Sequence, residues 1–400
     1  MQQALNGLKV IDCTQGIAGP YCTKLLADFG ADVVKIEPSG KGDITRSMGP
    51  FAGDEPDKEK SGAFFYLNTN KKSLTLNLQD SKGIKILKEL VQDTDVLAES
   101  YKPGEMANLG LSYDTLKQIS PDLIMLSITY FGQTGPYRDY AATNLTAYGL
   151  GGAMFTMRPA TKPMERPVVE GGVQAEYTTG ILSYIATMGA LINRAITHQG
   201  THIDMAAMEC VASTLMGHIA EYSYAGLIRR TNPFAIHGYP IGYSVPCKDG
   251  WISLTPGIGG APNIPLLIEK PDMMDNPIFT EPRARMADPK KFDSILSPWL
   301  MEHDKWEITR EAQKLRLAFT PVLSPKELLD DEQIQAREFF ASVEHPVMGE
   351  VTYPGAPAKL GDSPWRAGRA PLLGEHNGEI LGQLGYTEND INQMGAEGII

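Results

Sequence analysis

The stretch that decides the fold runs from residue 8 to residue 37 and reads LKVIDCTQGIAGPYCTKLLADFGADVVKIE. Its ends, 8–12 and 31–37, are short apolar runs rich in Val and Ile, which is typical of buried strands. Between them, 20–30 places apolar side chains at helical spacing and ends on a glycine, so a helix is predicted there. A strand, a crossover helix and a second strand predict a parallel pair within one sheet.

The same alternation continues further along the chain. Strands are predicted at 73–78, 96–98 and 123–129, with helices at 81–92 and 113–119 between them. Because these crossovers follow one another closely, a doubly wound parallel sheet of the α/β class is the predicted fold.

The pattern changes beyond this sheet. Residues 178–196 give the longest helical signal, apolar on most faces, which predicts a buried helix, and 204–227 predicts another helix. A turn signal at Asp249-Gly250 predicts a β-hairpin. The remaining predicted elements are the hairpin strands at 239–246 and 250–255, helices at 289–303, 304–314 and 325–340, and two helical pieces within 371–400.

The length of the chain bears on its division into domains. Four hundred residues exceed what one hydrophobic core usually fills, so two domains are expected. The expected parts are a large domain over 1–227, a smaller α+β domain over 228–325, and a C-terminal segment over 326–400 that returns to the large domain.

Charge and hydropathy exclude several classes of partner. The formal net charge is -12, whereas nucleic-acid binding calls for a basic face, so no nucleic-acid partner is expected. No apolar run approaches the roughly 20 residues that span a bilayer, and the N-terminus has no signal-peptide pattern. We therefore expect no membrane partner and a cytoplasmic location.

Neither the histidines nor the cysteines indicate a metal site. Only His198 and His202 are four residues apart, and Gly200 between them marks a turn, so no metal is predicted. The cysteines are scattered and form no CxxC pair, as expected of free thiols in a reducing compartment. They are Cys13, Cys22, Cys210 and Cys247.

The loop at 14–20 joins the first predicted strand to the first helix. A helix N-terminus presents free N–H groups and the positive end of the helix dipole, so this loop can hold a phosphate or a carboxylate. Gly16 and Gly19 do not form the GxGxxG pattern, so no nicotinamide cofactor is predicted. A tight turn without a ligand is the alternative interpretation.

Glu176 stands at the start of the long apolar helix, in a run poor in other charges. A carboxylate at a helix N-terminus is stabilised as the anion, which keeps it available as a nucleophile. The alternative is an acidic residue that only caps the helix. Glu170 is a second candidate, although it lies outside the predicted helix.

Two further features could serve a site. Residues 257–260, Gly-Ile-Gly-Gly, end the predicted hairpin and could form a lid over a reacting centre, or only a hairpin exit loop. Basic residues also lie near predicted strand ends, where α/β sheets bind ligands, although single lysines are usually only solvated. They are Arg46, Lys71, Lys72 and Lys102.

Several passages, taken in their shared order, carry a resemblance to a known family. They are 5–12, 18–20, 26–38, 42–43 with Arg46, 68–73, 102–104, 109–111, 131–136, 371–376 and 384–386. In these passages the chain resembles the family III coenzyme A transferases, the CaiB/BaiF group that contains formyl-CoA transferase and carnitine CoA-transferase. The resemblance runs nearly end to end, and no single motif decides it.

The resemblance implies a Rossmann-like large domain and a smaller domain in each chain, with two identical chains interlocked as rings. It implies a CoA-transferase whose substrates are an acyl-CoA and a small carboxylic acid, with no permanently bound cofactor. The implied reaction is ping-pong. A protein carboxylate attacks the thioester, forms a mixed anhydride, and then carries CoA as an enzyme-bound thioester.

The resemblance also assigns site residues. The family nucleophile is an aspartate shortly before a glycine, and the matching run is Glu176-Tyr-Thr-Thr-Gly180, so the nucleophile is assigned to Glu176 with a glutamate in place of the aspartate. Gly259 and Gly260 fall in the glycine loop that covers the nucleophile. Asn108 stands where the family commonly has a phosphate-binding arginine. The implied CoA contacts are Gln15, Gly16, Ile17, Ala18, Leu76, Tyr101, Lys102 and Asn108.

Two alternatives stay open. An acyl-CoA racemase of the same fold abstracts the α-proton with a histidine and an aspartate, but the matching passage here, 142–144, reads Ala-Thr-Asn. A racemase is therefore the weaker enzymatic interpretation. A non-catalytic acyl-CoA-binding partner subunit is the other alternative, because of the glutamate and the missing arginine.

Overall fold

A computed structural model of the chain describes residues 3–156, 170–228, 243–255, 261–361, 365 and 367–400. These described residues fall into two compact units. One is drawn from 1–153, 170–219 and 337–400, and the other from 154–169 and 220–336. Among the described residues, no helix is both long and apolar enough to cross a bilayer.

A six-stranded, fully parallel sheet forms the centre of the first unit. Its spatial order is β3-β2-β1-β4-β5-β6, which is the order of a doubly wound Rossmann-like sheet, so the predicted fold is confirmed. The strands are β1 Lys9–Cys13, β2 Asp32–Glu37, β3 Lys72–Thr75, β4 Val96–Glu99, β5 Ile124–Thr129 and β6 Thr201–Ala206.

Helices connect these strands and cover the sheet. The predicted helices in this part of the chain agree with α1, α3 and α5, and their bounds differ by a few residues at most. In chain order the helices are α1 Ala18–Asp28, α2 Gly62–Leu67, α3 Ser81–Val91, α4 Glu105–Asn108, α5 Tyr113–Ile119, α6 Asn144–Leu150, α7 Ala153–Thr156, α8 Gln174–Thr197, α9 Ala207–Ser213 and α10 Met216–Ala225, with 3-10 turns at Ile44–Ser47 and Ala52–Asp54.

The prediction of a helix over 204–227 is wrong for its first residues. Thr201–Ala206 is strand β6, which pairs in parallel with β5, and the helical structure begins only at Ala207. The run Thr-His-Ile-Asp-Met-Ala alternates in polarity with a period of two, which is the pattern of an edge strand. The apolar residues that follow it concealed this alternation.

The long helix α8 is not buried on all sides within the chain, contrary to the prediction. It buries a face of small residues, Ala175, Thr179, Gly180, Ser183 and Thr187. Its large isoleucines are instead exposed, from 43% for Ile181 to 76% for Ile196. The small side chains on this face let α8 lie close to its neighbour, α1, whereas the isoleucines face outward.

The second unit has its own sheet and core. The predicted hairpin is confirmed, because β7 and β8 are antiparallel around Asp249-Gly250, although residues 239–242 lie outside the described ranges. The helix predicted at 325–340 is two short helices instead. The elements are β7 Tyr243–Cys247, β8 Gly250–Leu254, α11 Ile264–Leu267, α12 Pro277–Thr280, α13 Pro282–Ala287, α14 Pro289–Leu300, α15 Lys305–Lys314, β9 Phe319–Pro321, α16 Pro325–Leu329 and α17 Glu332–Ala336, with 3-10 turns at Ala261–Asn263 and Pro271–Met273.

The last part of the chain belongs to the first unit. A hairpin of β10 Phe340–His345 and β11 Gly349–Pro354 precedes the helices α18 Asn377–Gln383 and α19 Glu388–Ala396. The Asn377 side-chain oxygen accepts a hydrogen bond from the Thr75 N–H at 2.9 Å, at the end of β3. Leu381 and Met394 are buried in the same apolar core as Leu74 and Leu97 of the sheet.

Candidate active site

The strand order of the sheet reverses between β1 and β4, and ligands of such sheets bind at this switch point, beyond the carboxyl ends of the strands. The loop after β1 and the segment after β4 meet there, because the Gln15 N–H donates to Ser100 Oγ at 2.9 Å. The structure therefore brings the predicted CoA-binding residues of both segments together beyond the carboxyl ends of the strands. They are Gln15, Gly16, Ile17, Ala18, Tyr101 and Lys102.

Buried charges hold the loop after β1 from below. Lys35 Nζ donates to the Thr14 carbonyl at 2.9 Å, and Lys71 Nζ donates to the Pro20 carbonyl and to Asp12, each at 2.9 Å. Burial alone would raise the pKa of Asp12, but the two lysines and the Thr14 hydroxyl hold that pKa far below its ordinary value. The loop is thus anchored through its carbonyl groups.

The basic residues predicted near the strand ends have different roles. Arg46 is 1% exposed and forms a bidentate pair with Glu37, so it cannot reach a ligand. Lys71 is buried in the anchor described above, and Lys72 pairs with Asp32 and Glu379 at the surface. Lys102 is the exposed member of the set.

Glu176 lies in the first turn of α8, and its carboxylate faces donors from other elements. Tyr130 Oη donates to Glu176 Oε1 at 2.8 Å. The backbone N–H groups of Ile17 and Ala18, at the N-terminus of α1, lie near the carboxylate and lower its pKa. Two helix N-termini therefore converge on this one anion, whose charge both dipoles favour. The anion-binding end of α1 faces a carboxylate of the protein itself.

Simple helix capping does not describe Glu176. The N-cap of α8 is Val173, which makes no side-chain cap bond, and the Glu176 N–H is shared between the Val173 carbonyl and Asn144 Oδ1, at 3.1 and 3.3 Å. Its carboxylate is instead used for contacts outside α8. Glu170, the second candidate, is exposed four residues before the helix begins and hydrogen-bonds Tyr148.

The electrostatics of Glu176 suit a nucleophile. Burial raises the pKa of its carboxyl above the ordinary value, and the Tyr130 hydrogen bond and the nearby N–H groups of Ile17 and Ala18 only partly oppose this shift. A higher pKa makes the ionised carboxylate more basic, while the three donors keep the anion populated. Burial also limits the access of water to the carboxylate.

Gly180 lets the helix that carries Glu176 approach these donors. A Cβ added to Gly180 would lie 2.7 Å from the Ala18 carbonyl oxygen and 3.2 Å from Tyr21 Cβ. Only a glycine lets α8 approach α1 so closely, one turn after Glu176. The run Glu176-Tyr-Thr-Thr-Gly180 therefore combines the candidate carboxylate with the residue that positions it.

The remaining predicted residues lie further away or outside the description. Leu76 is 2% exposed in the apolar core beyond β3, at the edge of the sheet and not at its switch point. Asn108 is exposed at the end of the short helix α4. Gly259 and Gly260 lie outside the described residues.

Three neighbours of the site were missed from the sequence. Tyr130 and Asn144 contact Glu176, and Arg138 Nη2 donates to the Pro103 carbonyl at 3.4 Å, beside the exposed Lys102. Tyr130 directly follows β5, and residues at the carboxyl ends of parallel strands are candidates for a site. That signal was available in the sequence but not specific.

Comparisons with known proteins show which sequences this chain resembles. The protein family described as CoA-transferase family III matches residues 5–377. The chain is 33% identical to a formyl-CoA:oxalate CoA-transferase of Streptomyces avermitilis, with all of both chains covered. It is 31% identical to the human succinyl-CoA:glutarate CoA-transferase, with 99% of this chain and 90% of the relative covered.

A solved structure gives the same result for the fold. A CAIB/BAIF family protein from Brucella suis superimposes with a TM-score of 0.85 at 29% identity, over 96% of this chain and 100% of that one. The sheet, the convergence of two helices on one carboxylate, and these relatives lead to one conclusion. The chain belongs to CoA-transferase family III.

Proposed function

We propose that the enzyme moves coenzyme A from an acyl-CoA donor to a small carboxylic acid by a ping-pong reaction on Glu176. The observation that carries the proposal is the half-buried Glu176 carboxylate, held by Tyr130 and by the N-terminus of α1 at the switch point of the sheet. Relatives that transfer CoA between formyl-CoA and oxalate, or between succinyl-CoA and glutarate, support the substrate class.

The proposed chemistry is a sequence of acyl exchanges. The Glu176 carboxylate adds to the thioester carbonyl and CoA leaves as a thiolate, which gives a glutamyl anhydride. The thiolate then adds to the side-chain acyl carbon of Glu176 and expels the donor acid as its carboxylate, which leaves a glutamyl-CoA thioester. The acceptor acid repeats both steps in reverse. Each step forms one bond to the acyl carbon and breaks another, so the thioester free energy is retained where water is excluded.

The extra methylene of glutamate is compatible with this role. The Glu176 side chain already reaches a phenol and two backbone N–H groups, and no rearrangement is needed to place its carboxylate among donors. The position of this glutamate thus favours a catalytic chain over a non-catalytic partner subunit. The passage that would carry the proton-abstracting groups of a racemase contributes Asn144, a neutral amide, at the helix start.

Lys102 and Arg138 are our candidates for the phosphates of CoA. Both are exposed, and the Arg138 guanidinium lies against the turn that follows Lys102. The pair could supply the charge that an arginine at position 108 provides in the family. The two side chains would bind the CoA phosphates equally in the ground state and in the transition state. Loss of either one should therefore affect KM more than kcat.

Arg138→Ala is therefore expected to raise KM for acyl-CoA about tenfold with kcat nearly unchanged, the loss of one charge-assisted hydrogen bond. An acyl thioester of dephospho-CoA distinguishes the phosphate involved. If Arg138 holds the 3′-phosphate, wild type and variant should have the same KM for that analogue. Lys85→Ala, at an exposed lysine of α3, is the control. An unchanged KM for acyl-CoA in Arg138→Ala contradicts the assignment.

We also propose a homodimer. Ile181, Ile185, Ile192 and Ile196 form an exposed apolar stripe along α8, which a second copy of the chain could cover. The interlocked arrangement and the domain division at 1–227, 228–325 and 326–400 remain proposals, as does a cytoplasmic location. All four cysteines are buried and free, which fits a reducing compartment.

The function can be tested by trapping the intermediate. The enzyme is incubated with formyl-CoA or succinyl-CoA, treated with hydroxylamine, digested, and analysed by peptide mass spectrometry. We expect a hydroxamate on Glu176 and CoA transfer to added oxalate or glutarate. CoA transfer with an adduct on another residue would refute the role of Glu176. Proton exchange at the α-carbon without acceptor acid would indicate a racemase, and CoA binding without turnover a partner subunit.

A further inference from the structure

The Tyr130 hydroxyl has a second possible use beyond holding the resting carboxylate. Its oxygen is 2.8 Å from Glu176 Oε1, so it directly touches an atom that takes part in the proposed acyl exchange. The following inference rests on the proposed function, because it concerns the intermediates formed on Glu176.

We propose that Tyr130 is a catalytic residue whose O–H stabilises the oxyanion formed at the side-chain acyl carbon of Glu176. Oε1 is the oxygen that remains as the carbonyl oxygen of the anhydride and of the thioester. The other carboxylate oxygen attacks the incoming acyl group.

The step conserves atoms and charge. When the CoA thiolate adds to the acyl carbon, the carbonyl π pair moves onto Oε1, which becomes the oxyanion and accepts the Tyr130 hydrogen bond. The electron pair on Oε1 then re-forms the carbonyl π bond, and the donor acid leaves as its carboxylate. Tyr130 keeps its proton throughout, and the reverse sequence applies when the acceptor acid attacks the thioester.

The geometry favours this role because the reacting carbonyl belongs to the protein. An oxyanion donor must lie about 2.7–3.1 Å from the oxygen that develops charge, and for a bound substrate that position is normally unknown. Here the acyl carbon stays attached to Glu176, so Oε1 already marks the position, and the observed 2.8 Å meets the criterion.

Tyr130 is fixed in place and remains a donor. It directly follows β5, and its carbonyl oxygen accepts the Met208 N–H at 3.0 Å, at the start of α9. Burial and the adjacent Glu176 charge raise the pKa of its phenol above the ordinary value. The phenol therefore stays protonated at working pH. In the part of the chain that the structure describes, no other side chain hydrogen-bonds the Glu176 carboxylate.

Tyr130→Phe removes only the hydroxyl and tests the proposal. We expect kcat about 10²-fold lower, the usual cost of one oxyanion donor, with KM for acyl-CoA within about threefold of wild type. The isolated glutamyl-CoA thioester should also react about 10²-fold more slowly with hydroxylamine. Hydroxylamine is a small nucleophile that does not have to be positioned as the acceptor acid does. Tyr184→Phe is the control for the loss of a phenol hydroxyl. Tyr184 is a half-buried residue of α8, and its hydroxyl makes no hydrogen bond among the described residues.

The pH profile gives a further readout. Tyr130 lowers the pKa of Glu176, so its loss should move the acidic limb of kcat/KM to higher pH. Among the described residues, the other titratable group near this carboxylate is the Tyr177 phenol, while Asn144 and the α1 terminus carry no titratable charge. Wild-type rates and hydroxylamine reactivity in Tyr130→Phe, with the Glu176 adduct still present, would overturn the inference. Absence of the adduct in wild type would instead refute the proposed function.

Discussion

Glu176→Gln is expected to lower turnover by at least about 10⁴-fold and to abolish the hydroxylamine-sensitive adduct. Losses of this size are typical when a covalent nucleophile is removed. Glutamine keeps the length of the side chain and an oxygen that can accept the Tyr130 hydrogen bond, so the local structure should persist. The dissociation constant for CoA should therefore stay within about threefold of wild type, as measured by calorimetry.

Two matched variants make this result specific. Glu170→Gln changes the exposed acidic residue that precedes α8, and it should retain wild-type turnover. Glu176→Asp keeps the carboxylate but withdraws it by one methylene from Tyr130 and from the α1 terminus. We expect a partial loss for this variant, about 10²-fold, since small misplacements of reacting groups have effects of this size. Near-normal turnover in Glu176→Gln, after deamidation is excluded by mass spectrometry, would contradict the proposed role.

Gly180→Ala is expected to reduce both stability and activity. Its Cβ would lie 2.7 Å from the Ala18 carbonyl oxygen, a backbone atom that cannot move aside as a flexible side chain can. α8 must therefore shift away from α1, at a cost of about 1–3 kcal/mol in the free energy of unfolding. The shift also withdraws Glu176 from the Ile17 and Ala18 N–H groups, so we expect turnover about 10²-fold lower.

The control is the same substitution in a helix with free space. A Cβ on Gly382, in α18, would meet nothing within 4 Å. Gly382→Ala should therefore raise stability by up to about 1 kcal/mol through helix propensity alone, with turnover unchanged. Urea unfolding and initial rates measure both quantities. Equal effects of the two substitutions would show that close packing at Gly180 does not position the nucleophile.

The alternation of strand and helix over residues 8–129 could be predicted because each element depends on local periodicity. A buried strand and an amphipathic helix each carry their pattern within a few consecutive residues. The same local character made Glu176 visible, as an isolated carboxylate at the start of an apolar helix. The strand β6 was missed because its alternation is short and continues directly into the apolar helix α9.

The partners of Glu176 depend on long-range packing. Ile17, Tyr130 and Glu176 are far apart in the chain, and only the strand order and the close approach of α8 to α1 bring them together. The same packing buried Arg46 and Lys71, which the sequence presented as possible ligand contacts. It also left the isoleucines of α8 exposed. Residue types and local periodicity thus determined the sheet and singled out the candidate carboxylate, whereas the donors around that carboxylate follow from tertiary contacts that no local pattern encodes.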